Sequence, residues 1–232
     1  MKKLTKRLKT VQALVDKTKL YSLKDAIAVL KKAPKLKFDE TVEISARLSV
    51  DPKQSQNASI RGTVALPHGT GRKVRVAVFC KGEEERKAKD AGADFVGAED
   101  LIAKVQGGWS DFDVAIATPE MMKDMAKLGK ILGPRGLMPS PKSGTVTMDT
   151  AKTIKEVKAG KIEFKMDKQA GVHAPLGKIS FTDDALFANA TSLIDAIMSS
   201  NLGGMHGAHV KSLYISTTMG PGVKLDLSEF RK

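Results

Sequence analysis

The chain is poor in the residues that do chemistry. One cysteine, Cys80, stands among 232 residues. It has no internal disulfide partner, and this single thiol fits a reducing cytosol. It closes the apolar run Val76–Cys80, which reads as a core thiol ahead of a nucleophile. Of the four histidines, His68, His173, His206 and His209, only the last two are close in sequence. They lie in a glycine-rich stretch, and a zinc site needs three or four ligands. The expectation is no metal. No apolar run approaches the roughly 20 residues of a membrane span. The basic start MKKLTKRLKT is followed by no apolar stretch of the kind a secretory signal carries.

Phosphate-site fingerprints are missing too. After the first middle strand the turn reads Lys81-Gly82-Glu83-Glu84-Glu85. It lacks the G-x-G-x-x-G spacing and sets three acids where a pyrophosphate would sit. No Walker A sequence, nucleophile elbow or Ser/His/Asp set occurs. Asp183-Asp184 opens a helix, where acids complement the macrodipole. The chain is therefore read as no enzyme, with no cofactor and no small-molecule substrate.

What the chain has in excess is positive charge. Its 39 Lys/Arg against 26 Asp/Glu leave a net +13, a bias toward a polyanionic partner. Residues 1–40 hold 12 Lys/Arg against 4 Asp/Glu. Lysine dominates there, which suits neutralising phosphates better than forking onto bases. A solvated basic helix is the plainer reading of some of these lysines. Residues 1–20 have only a weak amphipathic face, which disfavours a membrane-surface role.

Glycine and proline cluster in one stretch, Gly129 to Val146 (GKILGPRGLMPSPKSGTV), with Lys130, Arg135 and Lys142. Close backbone approach, stiffness and charge together suit a phosphate backbone. A solvated surface loop fits the composition as well. A second such stretch is Ser216-Thr217-Thr218-Met219-Gly220-Pro221-Gly222. From its residues alone a structural turn is the first reading. Its hydroxyls and bare backbone also suit contact with ribose 2′-hydroxyls.

Periodicity divides the chain. A basic helical stretch opens it. Ser22 then caps a helix with Asp25 reaching back, Leu23, Ala26, Ile27 and Leu30 on one face, and Pro34 ending it. From Thr41 the period is two, with Val42, Ile44, Ala46 and Leu48 inward. A polar loop over 51–59 leads to a short strand near Arg61–Leu66. Between about Val74 and Ala159, strands alternate with helices (Glu83–Ala91, Leu101–Val105, Pro119–Leu128), which predicts a parallel sheet covered on both faces. Beyond Gly160 the two-residue period returns in Ile162, Phe164 and Met166. A helix over Asp183–Ser200 and a final strand with Leu213 and Ile215 follow. The predicted organisation is α+β and α/β in two domains. Residues 1–67 plus 160–232 build a discontinuous α+β domain around an inserted α/β domain, 68–159. Hinge positions are Pro67, Gly69, Gly71 and Gly160.

Lys37-Phe38-Asp39-Glu40-Thr41-Val42-Glu43, Arg61-Gly62-Thr63, Leu66-Pro67-His68-Gly69-Thr70-Gly71, Gly133-Pro134-Arg135-Gly136-Leu137-Met138-Pro139, Lys158-Ala159-Gly160, His173-Ala174-Pro175 and Thr217-Thr218-Met219-Gly220 follow one another in this order. In that order and spacing the chain resembles bacterial-type ribosomal protein L1 over nearly its whole length. The resemblance implies a split β-α-β antiparallel domain with an inserted Rossmann-like α/β/α domain. It implies a protein monomeric on its own and cytoplasmic on the ribosome. Its partners would be large-subunit rRNA of the L1 stalk, exit-site tRNA and its own operon mRNA, which it would repress. Carried over by motif, the RNA surface comprises Phe38, Thr41, Thr218, Met219 and Gly220, with Lys37, Lys165, Lys168 and His173 as neighbours. Lys130, Arg135 and Lys142 would make secondary contacts. Two places depart from the family pattern. Ser55–Ser59 lacks an Asp and carries an extra residue. Met166 and Gln169-Ala170 replace the commoner Asn and Asn/Thr-Gly.

Overall fold

The computed structural model describes residues 6–16, 18–34, 36–49, 60–199 and 210–230. The polar loop 51–59 and His206 and His209 lie outside them. Two compact units emerge, residues 1–71 with 162–232 and residues 72–161. The first unit therefore includes His68–Gly71 and the second Gly160 and Lys161.

The terminal unit starts with α1 (Lys6–Ala13) and α2 (Leu23–Lys31). Ser22 Oγ accepts from Asp25 N at 3.1 Å and donates to Asp25 Oδ2 at 2.8 Å. The Asp25 carboxylate thus returns to the Ser22 hydroxyl rather than to its backbone N–H, as a shorter side chain than Glu must. Strands β1 (Thr41–Leu48) and β2 (Arg61–Ala65) follow.

In the middle unit the order is β3 (Val76–Phe79), α3 (Glu83–Asp90), β4 (Phe95–Gly97), α4 (Glu99–Gln106) and β5 (Val114–Ala117). Then come α5 (Met122–Met125), α6 (Gly129–Leu132) and α7 (Thr150–Ala159). The chain re-enters the terminal unit through β6 (Lys161–Lys165) and continues into β7 (Gly171–Lys178), α8 (Asp183–Ser199), β8 (Val210–Thr217) and β9 (Val223–Lys224).

In the four-stranded sheet β7-β1-β8-β9, β1 runs antiparallel to both neighbours. It splits the unit β7-α8-β8, which is the expected split β-α-β arrangement. Alternation explains the layering. Val42, Ile44, Ala46 and Leu48 of β1, Val172, Ala174 and Leu176 of β7, and Leu213 and Ile215 of β8 form one core with Leu23, Ala26, Ile27 and Leu30 of α2 and Leu186, Leu193 and Ile197 of α8. Each fully buried Leu or Ile contributes about 1.5–3 kcal/mol. The opposite face carries Thr41, Glu43, Ser45 and Arg47, all half-buried or exposed.

Three details differ from the period-two reading. It names no strand between Met166 and the helix at Asp183, where β7 forms and pairs with β1. β8 is not the last strand, because β9 pairs with it at Tyr214 and Ile215. Also, β2 pairs with β6 in a separate two-stranded sheet. Phe164 of β6 sits over Gly62 so closely that a Cβ there would lie 2.6 Å from the ring. Periodicity reports which side of a strand is buried; it does not report which strand lies beside it.

The middle unit holds a parallel sheet, β4-β3-β5. Ala77 and Phe79 pack with Leu101, Val105, Met121, Met125, Leu128 and Leu132, while Val76 and Val78 pack with Ala88, Ile154 and Val157. Cover on both faces is why these strands read as unbroken apolar runs. The expected helix Pro119–Leu128 is segmented into a 3-10 turn Pro119–Met121, α5, a second 3-10 turn Ala126–Leu128 and α6. The buried stripe Met121, Met125, Leu128, Leu132 nevertheless keeps helical spacing.

Candidate nucleic-acid interface

The outward face of the four-stranded sheet ends in two loops locked to each other. Thr41 N donates to Thr218 Oγ1 at 3.0 Å, and Thr218 N donates to Thr41 O at 3.0 Å. The start of β1 and the end of β8 thereby hold one geometry. Gly220 N closes the following turn onto Thr217 O at 3.0 Å. A Cβ at Gly220 would lie 2.2 Å from the buried Thr217 hydroxyl, so no other residue fits without displacing it. At the tip of this turn Met219 is 55% exposed.

Beside it, Phe38 is 52% exposed, on a loop that is well tied down. Asp39 accepts from Ser180 N and Oγ at 3.2 and 2.7 Å. Lys178 Nζ donates to Thr41 Oγ1 at 3.0 Å, and Ile179 N donates to Glu40 O at 2.9 Å. Lys37 is exposed on the same loop. The structure thus joins Lys37, Phe38 and Thr41 with Thr218, Met219 and Gly220 through main-chain and side-chain hydrogen bonds. Two large apolar side chains are left in solvent on fixed backbone. Glu40, next to them, is buried and paired with Arg7 at 3.0 Å.

His173 lies farther along the same face. Ser45 pairs with His173 of β7 and Tyr214 of β8, and Tyr214 pairs with Lys224 of β9. Ser45 Oγ and His173 Nδ1 are 3.0 Å apart. Ser45 is four residues from Thr41, so this row is about 13 Å from the interlocked turn. Asp167 Oδ2, 3.8 Å from His173 Nε2, adds a negative charge. Lys168 and Asp167 stand in the turn between β6 and β7, and Lys165 ends β6 in the other sheet. The lysines are exposed and are not drawn into the turn cluster. Carboxylates at Glu43 and Asp167 make this a face with individual contacts rather than a uniform basic patch.

Arg7 and Tyr214 also border this face, and the sequence reading singles out neither. Tyr214 carries a signal, since it alternates with inward Leu213 and Ile215 and must point outward. Arg7 carries none, because its partners are 33 and 212 residues away.

In the middle unit, the stretch 129–146 is not one solvated loop. It begins as α6 with Leu132 fully buried. Gly133 N then donates to Gly129 O at 3.0 Å, where a Cβ would lie 2.5 Å from that oxygen. Ser140, Ser143 and Thr145 bond one another, and Val146 bridges to Ala117. Lys130, Arg135 and Lys142 are exposed on this packed frame, each on a different turn of it. Of the expected hinge positions, Pro67 is exposed, and Gly69, Gly71 and Gly160 take positive φ of 65°, 70° and 113°. Asn189, fully buried, accepts from His68 N at 3.0 Å and donates to Gly69 O at 2.9 Å.

The surroundings of the one thiol deactivate it on balance, with only Lys89 acting the other way. Burial first, then the charges of Glu85 and Glu84, push Cys80 up to about 11. Among the described residues no group of three His, Cys, Asp or Glu is placed to hold a metal, and no helix is long and apolar enough to cross a membrane.

A family model described as Ribosomal protein L1p/L10e family matches residues 29–221. Large ribosomal subunit protein uL1 of Protochlamydia amoebophila (strain UWE25) is 49% identical over 225 residues, covering 97% of this chain and 95% of that protein. Together with the split β-α-β unit and its inserted parallel-sheet unit, these matches establish that the chain belongs to the ribosomal protein L1 family, a family of structural and non-enzymatic ribosomal proteins.

Proposed function

We propose that this chain is a large-subunit protein that binds ribosomal RNA through the outward face of its terminal unit and so builds the mobile stalk of the subunit. The carrying observation is the interlock of Thr41 with Thr218, which holds Phe38 and Met219 exposed on rigid backbone. Exposed apolar groups on a fixed main chain suit the shallow minor groove of RNA, where ribose hydroxyls meet backbone donors and acceptors. Lys37, Lys168 and Lys165 supply phosphate neutralisation, and His173 extends the contact along the sheet. The inserted unit moves with the stalk about the glycine-rich crossings. It makes secondary contacts through Lys130, Arg135 and Lys142 and assists departure of deacylated tRNA from the exit site. The same terminal face binds a matching structure on the chain's own mRNA and represses translation, because one rigid surface selects one RNA shape.

The test is equilibrium binding to the large-subunit stalk rRNA fragment over a salt series. Affinity falls steeply with salt through counterion release. Met219→Asp and Thr218→Val weaken binding at least tenfold, the effect expected when an exposed apolar contact or the Thr218 hydroxyl that accepts from Thr41 N is removed, with the folded state retained. Binding of both variants at parental strength overturns the assignment. The operon mRNA fragment competes for the same site, and simultaneous binding of both RNAs overturns the shared-face reading.

A further inference from the structure

The turn carrying Met219 has a weak point. Its first residue is locked to Thr41 and its closing N–H to Thr217 O, but those bonds do not reach the Met219 carbonyl. Glycine follows at 220, and glycine leaves the main chain most freedom. The carbonyl is held from outside. Arg7 Nη1 donates to Met219 O at 3.1 Å, while Nη2 donates to Glu40 Oε1 at 3.0 Å. One planar guanidinium therefore bridges the two loops that present Met219 and Phe38.

We infer that Arg7 is the positioning residue of the RNA-facing turn, a clamp from the N-terminal helix that sets the turn against the Phe38 loop. The inference rests on the terminal face being the RNA surface. Three observations carry it. Glu40 is buried, with its carbonyl engaged by Ile179 N, so its carboxylate is aimed by fixed backbone and needs a cation. The Arg7 side chain is only 25% exposed and its Nε is buried, so the guanidinium faces the protein more than a solvent phosphate. Val11, one helical turn beyond Arg7 on the same face, is buried and seats α1. Lysine cannot replace this arrangement fully, since a single ammonium lacks the planar fork that spans two separate acceptors.

The experiment combines binding of the stalk rRNA fragment with amide NMR of the free protein, for Arg7→Gln, Arg7→Lys and Glu40→Gln in the full chain. Arg7→Gln lowers affinity about tenfold, as removal of a charge-assisted bond implies, while the slope of log Kd against log salt stays at its parental value. Arg7→Lys falls between parent and Arg7→Gln. In the free protein the amides of Thr41, Met219 and Gly220 shift and those of Val76–Phe79 do not. In a Thr218→Val background, Arg7→Gln adds little, because both changes act through one turn. A salt slope reduced by about one would mark Arg7 as a direct phosphate contact and overturn the clamp. Parental affinity in Arg7→Gln overturns it as well. If Thr218→Val and Met219→Asp themselves bind like the parent, the RNA face is wrong. If they lose binding and Arg7→Gln does not, only the clamp is wrong. Should Arg7→Gln not fold, Arg7→Lys and Glu40→Gln give the same affinity, slope and amide readouts.

Discussion

Gly220 and Ala170 show how much can rest on one Cβ. At Gly220 a methyl would lie 2.2 Å from Thr217 Oγ1. Gly220→Ala therefore destabilises the turn by roughly 1–3 kcal/mol, the range for forced overpacking, and weakens RNA binding. A chemical-denaturation midpoint and a binding isotherm at one salt concentration check both effects. Ala170 is the opposite case. It holds φ +61°, the one positive-φ non-glycine among the described residues, at a position where the resembling family more often has glycine. The strain is held by neighbours. Asp167 Oδ1 accepts from Gln169 N and Gly171 N at 2.8 and 2.6 Å, and Leu48 N donates to Ala170 O at 2.8 Å. Ala170→Gly is expected to stabilise the terminal unit by about 1 kcal/mol, read as a rise in melting temperature. A fall would show that the αL conformation here costs less than the entropy glycine brings.

At the scale of elements, Asp113 ties the start of β3 to the start of β5. Its carboxylate accepts from Arg72 Nη2 at 2.6 Å and from Arg75 N and Nε at 3.1 and 3.3 Å. Burial works to raise this carboxyl, but the Arg75 bonds and the charges of Arg72 and Arg75 outweigh it, and it sits below the ordinary Asp value. A carboxyl lowered on folding adds stability above its unfolded value. That stability drains as pH falls through the lower folded value. Asp113→Asn should thus lower the melting point of the middle unit at neutral pH. The gap to the parent should narrow as pH drops below about 4, the unfolded Asp value. A gap independent of pH would assign the effect to altered geometry rather than charge. Among elements, the alternating strands and amphipathic helices were legible because burial has a period. The segmentation of Pro119–Leu132 was not. Its buried residues keep one helical stripe whether the backbone turns are α or 3-10.

For the molecule as a whole, the positive charge and the interlocked turn are separate features. The positive charge is concentrated in residues 1–40, with 12 Lys/Arg against 4 Asp/Glu, while the interlocked turn is one small region of the terminal unit. Neutralising Lys130, Arg135 and Lys142 together to Gln should flatten the salt dependence of RNA binding, by up to about one unit of slope for each phosphate no longer neutralised. It should leave affinity within about tenfold of the parent at low salt. Met219→Asp should cost more than that triple change. Filter binding of the two variants at two salt concentrations separates them, and a greater effect in the triple variant would move the principal grip to the inserted unit.

The sequence by itself determined the two architectures, the inward faces of β1, β6 and β8, the burial of Cys80 and the absence of a nucleotide fingerprint. These depend on local periodicity and residue type, which survive without knowledge of partners. It also marked Phe38 and Thr218-Met219-Gly220, through resemblance of ordered motifs. Only the tertiary structure decided that Thr41 and Thr218, 177 residues apart, exchange bonds, one from Thr41 N to the Thr218 hydroxyl and one between main chains, that β2 leaves the main sheet for β6, and that Arg7 reaches both loops at once. Those contacts are long-range pairings of polar groups. A polar residue at an outward position is satisfied by water as readily as by a distant neighbour, so its position in the chain carries no trace of which one it meets.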